Sequence, residues 1–425
     1  MQNRYLLLTI ALIAVFIISQ YLGSSSLFNK NIKGFDRGNS GLIATDSGAN
    51  IYIAWTEIEK NDIILASSTP NRFTLDTIDG YSTIPLSRSI DASGSNVYLA
   101  SIDNYFHPSK IILSKKSIEN IHNIIIRESN FFLDYPIVKS VGPAVYIAWI
   151  EYINSNYQIL FKYSHDNAKS FSDAIVISTP GHDASALSID VEGSNVYIAW
   201  HENVDGKHKV LFRYSHDNAK SFSDAIVISK DNNAGFPSIK SEGSNVYMAW
   251  IDNNNNGNRI VTMQSKDAGV NWDELFIVDI DKPTLPILDV DGPLVCLSWL
   301  DVNSLNIACS VNGKDFVKHE VSNDTILVYR MDVEGSNVYM AWVSDNKPKE
   351  FKIRASHDAG ITLDKEVSIG NGEINKAGII ANGSNVYAIW SELLCINTCS
   401  NINTKIYLSP SYDSAITFEK PLLLK

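Results

Sequence analysis

An eight-residue motif, G-S-N-V-Y-I-A-W in its fullest form, returns eight times along this chain at a nearly constant interval. It reads GANIYIAW from Gly48, GSNVYLAS from Gly94, GPAVYIAW from Gly142 and GSNVYIAW from Gly193. It continues as GSNVYMAW from Gly243, GPLVCLSW from Gly292, GSNVYMAW from Gly335 and GSNVYAIW from Gly383. The copies start 43 to 51 residues apart. Units three and four are the most alike, because YSHDNAKSFSDAIVIS stands at 163–178 and again at 214–229. A repeat of this length is one supersecondary unit that buries its faces only by stacking on its neighbours.

Each unit carries four strand signals and no amphipathic helical run. In unit four, ALSIDVE precedes the Gly193–Asn195 turn, and NVYIAW follows with β-branched and aromatic residues on period two. A polar turn, HENVDGKH, leads to KVLFRYS; the turn HDNAKSFS then leads to DAIVIS. Gly-Ser-Asn suits a tight hairpin, since Gly and Asn tolerate positive φ. Eight such units predict an all-β, eight-bladed β-propeller of four-stranded antiparallel blades over 41–425. Seven blades is the alternative, because unit two is degenerate. Every unit supplies its own strands, so blade one is expected to pack on blade eight with no strand exchanged.

Seven of the eight tryptophans close the motif, from Trp55 to Trp390, with Ser101 in the second copy. Burying one hides up to ~250 Å², about 6 kcal/mol before entropy. That predicts inter-blade packing. A second pattern lies between the third and fourth strands. SKDAGVNW from Ser265 and SHDAGITL from Ser356 follow S-x-D-x-G, as do SHDNAKSF from Ser164 and Ser215 and SYDSAITF from Ser411, with Ala for Gly. This series resembles the Asp box of the sialidase-like (BNR) propellers, best from about residue 136 onward. Asp166, Asp217, Asp267, Asp358 and Asp413 are expected to accept hydrogen bonds from their own hairpins. The resemblance implies that these boxes are structural, on the face opposite an active site.

A third pattern is acidic. Two residues beyond the tryptophan place stand Glu57, Asp103, Glu151, Glu202, Asp252, Asp301 and Glu392, with Ser344 in unit seven. If they open the second loop of each blade, they form an acidic rim for cations, amines or sugar hydroxyls, or each caps its own hairpin. Two carboxylates ~8 Å apart repel by ~2 kcal/mol at an effective dielectric of ~20, so such a rim would want donors. Asp252, Asn254 and Asn256 match the first half of an EF-hand-type loop. Met263 stands where its bidentate Glu belongs, so calcium is a hint and an Asn-rich turn the rival reading. Cys296 with Cys309, and Cys395 with Cys399, are close enough in sequence to form local disulfides.

The first 23 residues read differently. Tyr5 to Leu22 carries no charge. As a helix it would span ~27 Å, near the ~30 Å of a hydrocarbon core. The expectation is a signal anchor over 1–23, or a cleaved signal peptide, then a linker over 24–40. Either puts the propeller outside the cell, on the membrane or secreted. The net charge of −12 repels phosphate backbones, so nucleic acid is not an expected partner.

The resemblance to sialidases implies an exo-glycosidase with three arginines around a carboxylate, a Tyr–Glu nucleophile and an Asp acid/base. This chain lacks that family's R-I-P motif. Arg88 and Arg330 fall in first strands near the axis, with no visible third partner. No catalytic residue is therefore assigned. The expectation is a non-catalytic propeller that binds a glycan or a cell-envelope protein. The alternatives are a sialidase-like exo-glycoside hydrolase with a divergent site, and an architectural part of the envelope.

Overall fold

The computed structural model describes the chain from Leu42 to Leu424, except for 46–49, 58–61, 70–71, 82–85, 104–107, 118–119, 231–232, 255–256, 283–284, 303 and 397–400. The apolar segment before residue 24 lies outside these residues. Among those described, no helix is long and apolar enough to cross a membrane.

Eight four-stranded antiparallel sheets follow one another, each in simple up-and-down order. Blade four is typical: Ala184–Glu192, Asn195–Val204, Lys207–Ser215 and Ile226–Val227. Blade eight runs from Ile374–Asn382 through Asn385–Ile396 and Asn401–Ser411 to Leu422–Leu423. The first strands are neighbours in sequence order around a ring, and Leu42–Thr45 of blade one meets Ile374–Asn382 of blade eight. Among the described residues, no sheet borrows a strand from the other end of the chain. The count is therefore eight, not seven, and closure is by packing alone.

The tryptophans make that packing. Trp200 sits among Tyr146, Ala148 and Phe161 of blade three. Trp149 sits against Tyr98 and Leu113 of blade two. Trp55 closes the ring against Tyr387, Ile389 and Leu408 of blade eight. Blade two lacks its tryptophan, and the gap is filled from the segment before it. Buried Tyr81 packs among Leu65, Leu99 and Ile112, and its hydroxyl lies 2.8 Å from Ser101 Oγ. Each motif glycine turns the first hairpin with φ between 54° and 61°, from Gly94 to Gly383, a region that only glycine enters freely.

A ring of charge on the first strands stitches neighbours. Asp91 accepts the Ser140 N–H, Asp190 the Ser241 N–H and Asp332 the Ala381 N–H, each from the next blade. Lys139 pairs with Asp190 and Lys240 with Asp289. In blade six, Cys296 and Cys309 are directly opposite on adjacent strands and are joined by a disulfide. Cys399 and the Cys395 side chain lie outside the described residues.

The Asp boxes form self-contained hairpins. Asp217 Oδ1 accepts the Ser215 hydroxyl and the Ser221 N–H, while its Oδ2 accepts the Ser221 hydroxyl at 2.6 Å. Blade six substitutes Asn312, whose Oδ1 accepts the Lys314 and Asp315 N–H groups. His165 and His216 reach across to the next box, meeting the carbonyls of Asn218 and Ala268 at 2.7 and 2.8 Å. Box and first hairpin share a face, because the Asn218 N–H donates to the Ser194 carbonyl.

Hydrogen bonds from Ser221 and its counterparts hold Asp217, Asp267, Asp358 and Asp413 down at about 2, against an ordinary 3.8. Asp166 is held lower still, by Ser170 above all. A depressed carboxyl stabilises the fold above the unfolded-state value and loses that contribution as pH falls through the folded value. Thermal unfolding followed by circular dichroism should therefore show Tm dropping between about pH 4 and pH 2. Replacing all five box aspartates by Asn, as blade six already does, should flatten that part of the profile. An unchanged slope would rule the boxes out as its cause.

Candidate functional site: a clamp at each blade junction and a cleft in blade eight

The second strand does not end at the tryptophan. In blade four it runs on to Val204, so Glu202 points to the same side as Trp200, as period two requires. The acids are thus drawn inward. Glu151 and Glu202 are fully buried, and Asp103 and Asp252 are 3% exposed.

Glu202 accepts the Trp200 indole N–H at 2.9 Å and the Thr179 N–H at 3.0 Å, and meets His182 Nδ1 at 2.8 Å. Thr179 and His182 belong to the link from blade three. Glu151 accepts the Trp149 indole at 3.2 Å and a forked pair of bonds from Arg127, on the last strand of blade two. Asp252 pairs with Arg259 of its own blade. Asp301, half-buried, accepts the Asp281 N–H from the link before it and the Val302 N–H after it. Blade seven has Ser344 at this place. There Asp324, from the preceding link, accepts the Trp342 indole and the Lys352 ammonium. An acid that accepts the indole N–H and is closed by a cation or by N–H groups recurs in blades three, four and seven, whereas the Trp55, Trp250 and Trp299 indoles have no acceptor among the described residues. The Glu57 side chain lies outside the described residues.

Blade eight keeps the acid and the tryptophan and leaves the device open. Trp390 is 3% exposed, and its indole N–H, like those of Trp55, Trp250 and Trp299, has no acceptor among the described residues. Glu392, half-buried, makes no hydrogen bond or ion pair among the described residues. Lys405 stands opposite it in register without pairing. The last strand of blade seven, Val367–Gly372, passes alongside with Gly370, Asn371 and Gly372. Gly370 lies so near the Trp390 ring that a Cβ would stand 2.8 Å from it. Tyr407 stacks on the Trp390 ring, with centroids 5.3 Å apart and planes 16° apart. Of these groups Gly370, Asn371, Trp390, Glu392 and Tyr407, with Ser368 and Pro421, line a cleft of about 380 Å³. Its lining combines a buried donor, a carboxylate acceptor and an aromatic ring.

Glu392 was in the acidic series; Tyr407 and Gly370 were not. Aligning the repeats marks Tyr407, because Leu160, Leu211 and Val261 stand opposite the tryptophan in blades three to five. The other residues of interest lie elsewhere. Asn256 and the side chains of Asn254 and Arg88 are outside the described residues. Among those described, no group of three His, Cys, Asp or Glu is placed to hold a metal ion. Arg330 donates to the Tyr329 carbonyl, and Arg354 to the carbonyls of Asp364 and Val321.

No family model matches the chain, and no curated protein matches its sequence. Solved structures do share the fold. A prolyl endopeptidase aligns at TM-score 0.51 and 11% identity, over 89% of this chain and 55% of its own. The propeller domain of the trilobed protease from Pyrococcus furiosus, described as having an open velcro topology, aligns at 0.51 and 9%, over 80% and 98%. A Trypanosoma rangeli sialidase aligns at 0.43 and 10%, over 86% and 73%, too loosely to argue from. Identities this low speak for the propeller and nothing finer.

Proposed function

We propose that this chain is a non-catalytic, glycan-binding propeller of the Asp-box type, exported and held at the cell surface by its N-terminal apolar segment. The cleft between blades seven and eight is the binding site. One observation carries the reading: Trp390 and Glu392 line one cleft, and neither the indole N–H nor the carboxylate has a partner among the described residues. Burying such groups unpaired costs about 1–3 kcal/mol each. A sugar hydroxyl satisfies both at once, accepting from the indole and donating to the carboxylate. Tyr407 offers the apolar edge that sugar C–H groups favour. The net charge of −12 disfavours sulfated or sialylated chains.

The test is calorimetric titration of the full chain, in detergent micelles, with neutral and amino oligosaccharides. Saturable binding is expected. Trp390→Phe keeps the ring stack and loses the donor, so it should weaken binding about tenfold, the worth of one hydrogen bond. Turnover of a fluorogenic sialoside, surviving purification, would instead support the glycoside hydrolase. Binding unaffected by either Trp390→Phe or Glu392→Ala would move the site elsewhere. Silence toward every glycan would favour a cell-envelope protein as the partner.

A further inference from the structure

We infer that the cleft selects sugars carrying a free, protonated amine, a specificity that rests on the glycan reading above. In blades three to seven an acid at this place, or in the link before it, is closed by the protein itself. Arg127 closes on Glu151 from the last strand of the preceding blade, and its guanidinium lies 2.6 Å from the carboxylate. His182 meets Glu202 from the preceding link, and Lys352 meets Asp324 at 2.8 Å. In blade eight the corresponding last strand offers Gly370, Asn371 and Gly372, none of them a donor cation. Gly372 comes so close to the carboxylate that a Cβ would stand 3.0 Å from Glu392 Oε1. The slot that holds a cation in blade three is here reduced to glycine and opens on the cleft.

A ligand ammonium restores the closure that blades three to seven possess. It would pair with Glu392 where the Arg127 guanidinium pairs with Glu151, with the Tyr407 ring beside it for a cation–π contact. A neighbouring hydroxyl then takes the Trp390 N–H. An amine next to hydroxyls on a compact ring is an amino sugar. The cleft's volume of about 380 Å³ is at the small end of the ~300–1,000 Å³ usual for ligand sites. An acetylated amine lacks the charge, and a carboxylated or sulfated sugar would bring a second anion against Glu392.

The experiment compares glucosamine oligomers with N-acetylglucosamine oligomers of equal length, titrated into the full chain in micelles. The deacetylated series should bind at least tenfold tighter. Glu392→Gln, which keeps shape and removes charge, should erase that preference and leave weak, equal binding. Lys405→Met removes the ammonium that stands opposite Glu392 in register and should sharpen the preference. Equal affinity of the wild-type chain for both series overturns the amine specificity and leaves the glycan reading standing. Binding of neither series overturns both. A preference that survives Glu392→Gln, or a lysine-rich peptide bound as tightly as the amino sugar, also overturns it.

Discussion

Glu202→Ala is expected to cost about 3–5 kcal/mol of stability, from two stranded buried donors and the cavity left behind. The side chain is fully buried and takes three donors from two blades: Trp200, Thr179 and His182. Truncation strands the indole and the Thr179 N–H and opens a cavity beside Trp200. Glu202→Gln is the control. Its amide oxygen can still accept from Trp200 and Thr179, and its NH₂ can donate to a neutral His182. The loss should then be nearer 1 kcal/mol, that of exchanging a charged for a neutral hydrogen bond. Denaturant unfolding gives the two free energies. Hydrogen exchange at Thr179 reports whether the junction between blades three and four has opened. An alanine variant within about 1 kcal/mol of the parent would mean the clamp is decoration.

That junction also shows what the repeat could convey. Period, strand number and blade count were open to reading, because β-branched and aromatic residues recur on period two in the units and glycine marks every first hairpin. The box hairpins were legible for the same reason: their hydrogen bonds are local. Depth was not. Glu202 and Glu151 read as loop residues if the strand stops at the tryptophan. Four further residues of strand, Asn195–Val204 in full, turn them to the inside. Their partners come from the preceding blade, some 20 residues earlier, at places with no fixed residue type: Arg127 in one, Thr179 and His182 in another. The cleft in blade eight is a failure of that pairing. It is visible only when the missing partner, a glycine strand, is brought alongside. Tyr81 in place of a tryptophan is the same kind of fact, a substitution supplied by a neighbour.

Glycine at the fifth place of the Asp box makes the second large prediction. Ala168, Ala219 and Ala415 occupy that place in blades three, four and eight with φ of 60°, 65° and 66°, so the left-handed turn alone does not demand glycine. In blade seven the neighbour does. A Cβ on Gly360 would stand 2.5 Å from Cys309 Cβ and 2.7 Å from its sulfur, and φ is +79°. That cysteine is itself buried and is held by its disulfide to buried Cys296, so it cannot swing aside. Gly360→Ala should therefore cost about 1–2 kcal/mol for the backbone and a further ~1–3 for overpacking. Gly335→Ala separates the two contributions. Its φ is +61°, and its Cβ would meet nothing within 4 Å, so only the backbone cost of about 1–2 kcal/mol should remain. Thermal melts of both variants decide the matter. If they fall equally, the blade-six disulfide yields to the box, and inter-blade contact on this face is looser than the distances imply. If Gly360→Ala falls much further, the box of one blade is seated on the core of the blade before it. Asp-box residues then set the spacing of the ring as well as the shape of their own hairpins.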